Sequence, residues 1–205
     1  MRVNEDRSVT VTTEARRSQI VSATIEAIAD LGYRQASFAR IAERAGLSST
    51  RLISYHFDGK DDLIRAVVAD VYTRIGGFMT QRMAGCRDAR TALRTYITSL
   101  VGFIAANRAP MLALSSIFLE HRFEDGRSSY DSSDERDVLG HIEAILRGGQ
   151  RSGEFRAFDT FVMAAAIQRS IDGLPFLLHT RPDLDLDLTA RELATLFDHA
   201  TRAEA

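Results

Sequence analysis

Between Ser37 and Phe57 the sequence reads SFARIAERAGLSSTRLISYHF, and its polar residues are of the kind that reach into a nucleic-acid groove. Ser49, Thr50, Arg51, Ser54 and His56 fall on the outward side of a short helical stretch, with Ser48 just before it. They are short hydrogen-bonding groups gathered around one guanidinium. A surface of that kind fits a major groove about 12 Å wide, where an arginine can make two parallel hydrogen bonds to a guanine edge. The same stretch supplies the parts of a helix-turn-helix. Ala42 is small enough for two helices to cross, and Gly46, four residues later, tolerates the positive φ of the turn. Ile41, Ala45, Leu47, Leu52 and Tyr55 are read as its inward side. A capped αα-hairpin inside an ordinary core has the same outline; in that reading Tyr55 is core and Ser37 only a helix cap. The register of the second helix is fixed to within one residue, so no side chain is assigned a base.

The elements that must position these groups are helical. Proline occurs only at 110, 175 and 182, and the intervening stretches repeat their apolar residues at helical spacing. Residues 1–13 are polar and are expected to form a mobile arm. A first helix is predicted from about Glu14 to Leu31, ended by Gly32. Two short helices follow, one capped by Ser37 and stopped by Gly46, the other from Ser48 or Ser49 to near Phe57. A long helix begins after Asp58-Gly59-Lys60, and further helices are expected over about 88–106, 110–121, 134–148, 158–180 and 188–203. Residues 122–133, 149–157 and 181–187 read as connections. The expected fold is all-α: a three-helix DNA-binding domain over 14–60, then a larger helical domain over 61–205, with about nine helices in total.

Composition narrows the function classes. The chain has 205 residues, 45% hydrophobic and 26% charged, as in ordinary globular proteins. Its net charge of −2 divides into +2 over residues 1–60 and −4 over the rest, which permits a nucleic-acid surface at the N-terminal end. The opening MRVNEDRSVTVTTEARR lacks the apolar core of a secretory signal, no membrane span is read, and Cys86 is the single cysteine. The expectation is a cytoplasmic protein without membrane contact, disulfide, metal or cofactor. No nucleophile elbow, phosphate loop, dinucleotide fingerprint or metal spacing is present, so no enzyme is expected.

The order of residues from Arg16 to Val68 resembles the DNA-binding region of TetR family regulators. The resemblance rests on Arg17 and Ile20, Leu31-Gly32-Tyr33, Ile41-Ala42, Ala45-Gly46-Leu47-Ser48, Tyr55, Phe57, Lys60 and Leu63. The span from Gly46 to Phe57 is one residue longer than in many members. The resemblance implies a repressor that leaves a palindromic double-stranded DNA operator when a small-molecule effector binds its C-terminal domain. Arg51, Thr50 and Ser49 are then expected at base edges. Tyr55 and His56 would touch phosphate or a thymine methyl, and Arg17, Ser37 and Lys60 would touch phosphate. It also implies a homodimer through about 158–180 and 188–203, where Ala164, Ala165, Ala166 and Gly173 allow close approach and Leu188, Leu193, Leu196 and Phe197 form a stripe.

For the effector, Phe78, Met79, Met83, Phe103, Met111, Phe118 and Phe123 are adaptable apolar candidates. Gln168 and Arg169, with His121 and His141, could orient a polar group. Gly76-Gly77 interrupts a strongly periodic helix and suggests either a hinge or a close helix contact. The alternative to a regulator is a helical ligand-binding or dimerisation protein without functional DNA binding.

Overall fold

The computed structural model describes the backbone of residues 3–123, 126 and 132–203, and the side chains of 13–123, 126 and 135–203. Among these the chain is helical, without strands. In order the helices are α1 (Val3–Leu31), α2 (Phe38–Arg44), α3 (Arg51–His56), α4 (Lys60–Met83), α5 (Ala89–Ala106), α6 (Arg108–Glu120), α7 (Ser132–Ser152), α8 (Thr160–Asp172), α9 (Leu174–Thr180) and α10 (Leu186–Thr201). Ten therefore stand where about nine are expected, because the 158–180 stretch divides at Gly173. Pro175 lies at the start of α9, where its missing N–H costs no helical bond. Helix α1 also starts at Val3, so residues 3–13, expected outside it, lie within it.

The chain forms two compact units. One comprises Met1–Thr73 with Ala109–Ser129, the other Arg74–Arg108 with Tyr130–Ala205. The break between them falls inside α4, between Thr73 and Arg74. Helix α6 follows α5 in sequence but belongs with the N-terminal helices.

In the first unit α1 packs on α2 and α3. Its core is Ile20, Ala23, Ile25, Ala27 and Ile28 of α1, Ile41 and Ala42 of α2, Ile53 and Phe57, and Leu63, Ile64, Val67 and Val71 of α4. Ala113, Leu114 and Ile117 of α6 are also buried.

In the second unit α10 lies along α5, and α7 and α8 pack on each other and on α5. Helix α10 turns Leu186, Ala190, Ala194, Phe197 and Thr201 inward, a spacing of three to four residues. Phe197, expected in the dimer stripe, thus belongs to its own unit's core, while Leu188 and Leu196 remain exposed. Helix α7 runs to Ser152, past 148, where the sequence predicts its end. At Gly149 the Phe155 ring occupies the space a Cβ would need. Phe155 N–H also donates to the Gly149 carbonyl at 3.0 Å. By length and composition Thr160–Thr180 could cross a membrane. Its buried side is Ala164, Ile167, Gln168 and Ile171, where α8 packs on α5 and α7, and Phe161, Val162, Phe176 and Leu177 are exposed.

Candidate nucleic-acid interface

The turn between α2 and α3 is closed by backbone bonds that only a left-handed residue permits. Gly46 has φ +63°; its N–H donates to Glu43 O at 3.1 Å, and Leu47 N–H donates to Ala42 O at 2.8 Å. This pair of bonds is a Schellman ending, which satisfies carbonyls that the end of α2 leaves open. At the other end Ser37 is the N-cap of α2, with its Oγ accepting from Arg40 N–H at 3.4 Å.

Helix α1 supplies donors to both helix ends of the motif. Gln19 Nε2 donates to Ala45 O at 2.7 Å, at the end of α2. Arg17 Nη1 donates to His56 O, at the end of α3, and its guanidinium lies 4.1 Å from the centre of the Phe57 ring. A cation is favoured at a helix C-terminus and over an aromatic face. Arg17 is half-buried, with its side chain turned onto the end of α3. Gln19 was not anticipated; its only sequence signal is a polar residue beside the apolar Ile20.

The inward side of α3 differs from expectation by one residue. Ile53 is fully buried and Phe57 nearly so, one turn apart. Leu52 and Tyr55, expected inward, are exposed, Tyr55 over 80% of its surface. Tyr55 is therefore not core but part of the outer face, its ring edge-on to His56 at 5.0 Å. Ser48, Ser49, Thr50, Arg51 and Ser54 are exposed with it, so six of the expected residues share the surface of α3 and its approach. Ser49 Oγ accepts from Arg51 N–H at 3.1 Å and thereby starts the helix; Thr50 makes no side-chain cap. His56 is half-buried, and burial, then Arg17 and Arg16, hold its imidazole below the ordinary value and favour the neutral ring.

Lys60 is placed differently. Its Nζ donates to Tyr33 O at 3.4 Å and lies 4.1 Å from the Tyr33 ring centre. Burial lowers the ammonium's pKa, an effect partly offset by Asp61.

The effector candidates divide between the units. Phe78, Met79, Met83, Phe103, Gln168 and Arg169 belong to the second; Met111, Phe118, Phe123 and His121 belong to the first. The Phe78 and Phe103 rings are 5.4 Å apart. Gln168 is buried, accepting from Tyr96 Oη at 2.8 Å and donating to Asp172 Oδ1 at 2.7 Å. Desolvation raises the Asp172 carboxyl's pKa against the Gln168 hydrogen bond and the Arg169 charge. Arg169 is exposed and pairs with Asp172 at 2.6 Å and with Glu135. His141 is exposed. Two open clefts of about 300 and 310 Å³ border the start of α5, lined by residues such as Asp88, Arg90 and Asp198 or Cys86, Ala144 and Gly148. None of the effector candidates lines either one.

Residues 20–67 match the family model described as bacterial regulatory proteins, tetR family. The HTH-type transcriptional regulator BetI 1 of Chromohalobacter salexigens is 39% identical over 83 residues, 40% of this chain and 41% of that protein. The regulator BetI of Escherichia coli is 34% identical over 87 residues, 42% and 43% of the two chains. The chain thus spans about two-fifths of the length of the curated relatives it matches. Among solved structures, a bacterial regulatory protein in the tetR family from Rhodococcus RHA1 superposes with a TM-score of 0.79 at 19% identity, covering 93% of this chain and 98% of that one. The transcriptional regulator FadR from Bacillus subtilis, solved in complex with stearoyl-CoA, gives 0.73 at 22% identity, covering 88% and 96%.

Proposed function

We propose that this chain, whose residues 20–67 match the model of the tetR family of bacterial regulatory proteins, is a member of that family and a sequence-specific, DNA-binding transcriptional repressor. It works by binding rather than catalysis, as a homodimer on a palindromic operator, and in the cytoplasm, where bacterial DNA lies. The observation that carries the reading is the outer face of α3. Ser48, Ser49, Thr50, Arg51, Ser54 and Tyr55 are all exposed there, while Ile53 and Phe57 tie the helix to its unit. Arg51 reads a guanine edge, Ser49 and Thr50 adjust to neighbouring bases, and Tyr55 reaches phosphate or a thymine methyl.

Fluorescence anisotropy against the duplex flanking its own gene and a scrambled duplex, over a salt series, tests this. Steep salt dependence with a clear preference for the first duplex is expected. Equal weak binding to both, repeated with duplexes selected from a random pool, would refute it. Arg51→Ala is expected to lower the specific-to-nonspecific ratio by about 10- to 100-fold, for the loss of one bidentate base contact, with helix content unchanged. An unaltered ratio removes Arg51 from the base-reading set.

The second unit is proposed to take a small-molecule effector, and Gly76-Gly77 to let α4 bend when it does. Both glycines are exposed, and a Cβ on either would meet nothing within 4 Å. Close packing therefore gives no reason for them, and each weakens the helix by about 1 kcal/mol relative to alanine. Gly76→Ala with Gly77→Ala is expected to raise the thermal midpoint and to blunt release of DNA by an effector found in the same anisotropy assay. Full release from the stabilised variant would end the hinge reading.

A further inference from the structure

The helix-turn-helix is held at both of its chain ends by the end of α6. His121, just past α6, is 1% exposed. Its Nε2 donates to Asp61 Oδ1 at 3.0 Å, since an ionised carboxylate can only accept. Asp61 lies in the first turn of α4, four residues after Phe57 closes α3. The His121 ring also stands edge-on to Tyr33, centroids 5.2 Å apart, and to Phe123 at 4.8 Å. Tyr33 follows Gly32 at the end of α1 and precedes the α2 cap, Ser37, by four residues. Its N–H donates to Ser116 Oγ of α6 at 3.0 Å, and Arg34 beside it pairs with Glu120 at 3.2 Å. Lys60 joins the two chain ends directly through the Tyr33 ring and carbonyl.

Tyr33, entering the motif, and Asp61, leaving it, therefore meet at one imidazole. An apolar residue could fill that space, and replacing hydrogen-bonded partners by packed apolar groups of the same shape is often nearly neutral for stability. What an apolar group cannot supply is a directional bond to Asp61. Resting on the DNA-binding reading above, we propose that His121 is a positioning residue for the DNA-contacting surface. It acts through Asp61 and Tyr33 to fix where α2 begins and where α3 hands over to α4.

Two substitutions separate positioning from packing. His121→Phe keeps a buried ring and loses the bond to Asp61. His121→Gln places an amide nitrogen near the Nε2 position and loses the ring. Amide hydrogen exchange of residues 33–38 and 58–64 and affinity for the selected duplex are both measured in the full chain, beside the thermal midpoint. In His121→Phe, exchange in both segments is expected to quicken and duplex affinity to fall about tenfold, the scale of one buried charge-assisted bond. His121→Gln is expected to recover most of both. Asp61→Asn is expected to add little to His121→Phe, as coupled partners do. Recovery by phenylalanine but not glutamine, or unchanged exchange in both variants, overturns the positioning role. Failure of the parent chain to prefer any duplex overturns the DNA-binding reading instead, while the exchange data still decide whether His121 holds the two segments.

Discussion

Phe57→Ala is expected to remove about 3–5 kcal/mol from the stability of the first unit, the usual cost of deleting a buried phenylalanine ring. Phe57 is 2% exposed, and its ring is the surface on which the Arg17 guanidinium rests at 4.1 Å. Its N–H closes α3 by donating to Ile53 O at 2.9 Å. The truncation leaves a cavity beside Ile53 and takes away the ring that holds Arg17 over the end of α3. Helix α3 has only six residues, too few to persist without tertiary contacts. Chemical denaturation of the full chain, with hydrogen exchange assigning the loss to residues 37–64, checks this. Phe57→Leu, which retains much of the volume, should cost a small fraction of that amount. A midpoint for the alanine variant within about 1 kcal/mol of the parent would mean that α3 is held by something other than its Ile53–Phe57 face.

The same helix marks the limit of what the sequence discloses. The turn was legible because its signals are local: Ser37 as a cap, Ala42 at the crossing and Gly46 at φ +63° each follow from the chemistry of one residue. The inward face of α3 was not. In fewer than two turns Leu52, Ile53 and Tyr55 offer competing apolar phases, and periodicity needs more length to choose among them. The choice is made by α1, whose Arg17 holds the His56 carbonyl and stacks on Phe57. Helix α7 repeats the lesson. It is predicted to end near 148 and runs to Ser152, through Gly149, whose missing side chain leaves room for the Phe155 ring. The effector candidates were chosen by residue type, and type carries no information about unit. Phe118 and Phe123 thus fold with the N-terminal helices and Phe78 and Phe103 with the C-terminal ones.

The proposed dimer gives the other large effect. Phe161, Val162, Phe176, Leu177, Leu188 and Leu196 are exposed large apolar residues on α8, α9 and α10. Helix α10 satisfies α5 with a different row, from Leu186 to Thr201, so Leu188 and Leu196 contribute little to their own core. A second copy of the same surface is a natural cover, because a twofold interface buries each contributing residue twice. Phe176→Asp with Leu196→Asp removes four apolar groups from such an interface and places four carboxylates there. At roughly 1.5–3 kcal/mol for each large side chain buried, the dimer dissociation constant should rise by at least about a thousandfold. Light scattering after size exclusion should then report a monomer at micromolar concentration with unchanged helix content. Because one subunit reads one half-site, its duplex affinity should collapse and the salt slope should fall to about half. A variant that remains dimeric places the interface elsewhere. A parent chain that is itself monomeric at that concentration, yet still prefers its duplex, requires the DNA to bring the two copies together, and the exposed apolar face then awaits a partner only on the operator.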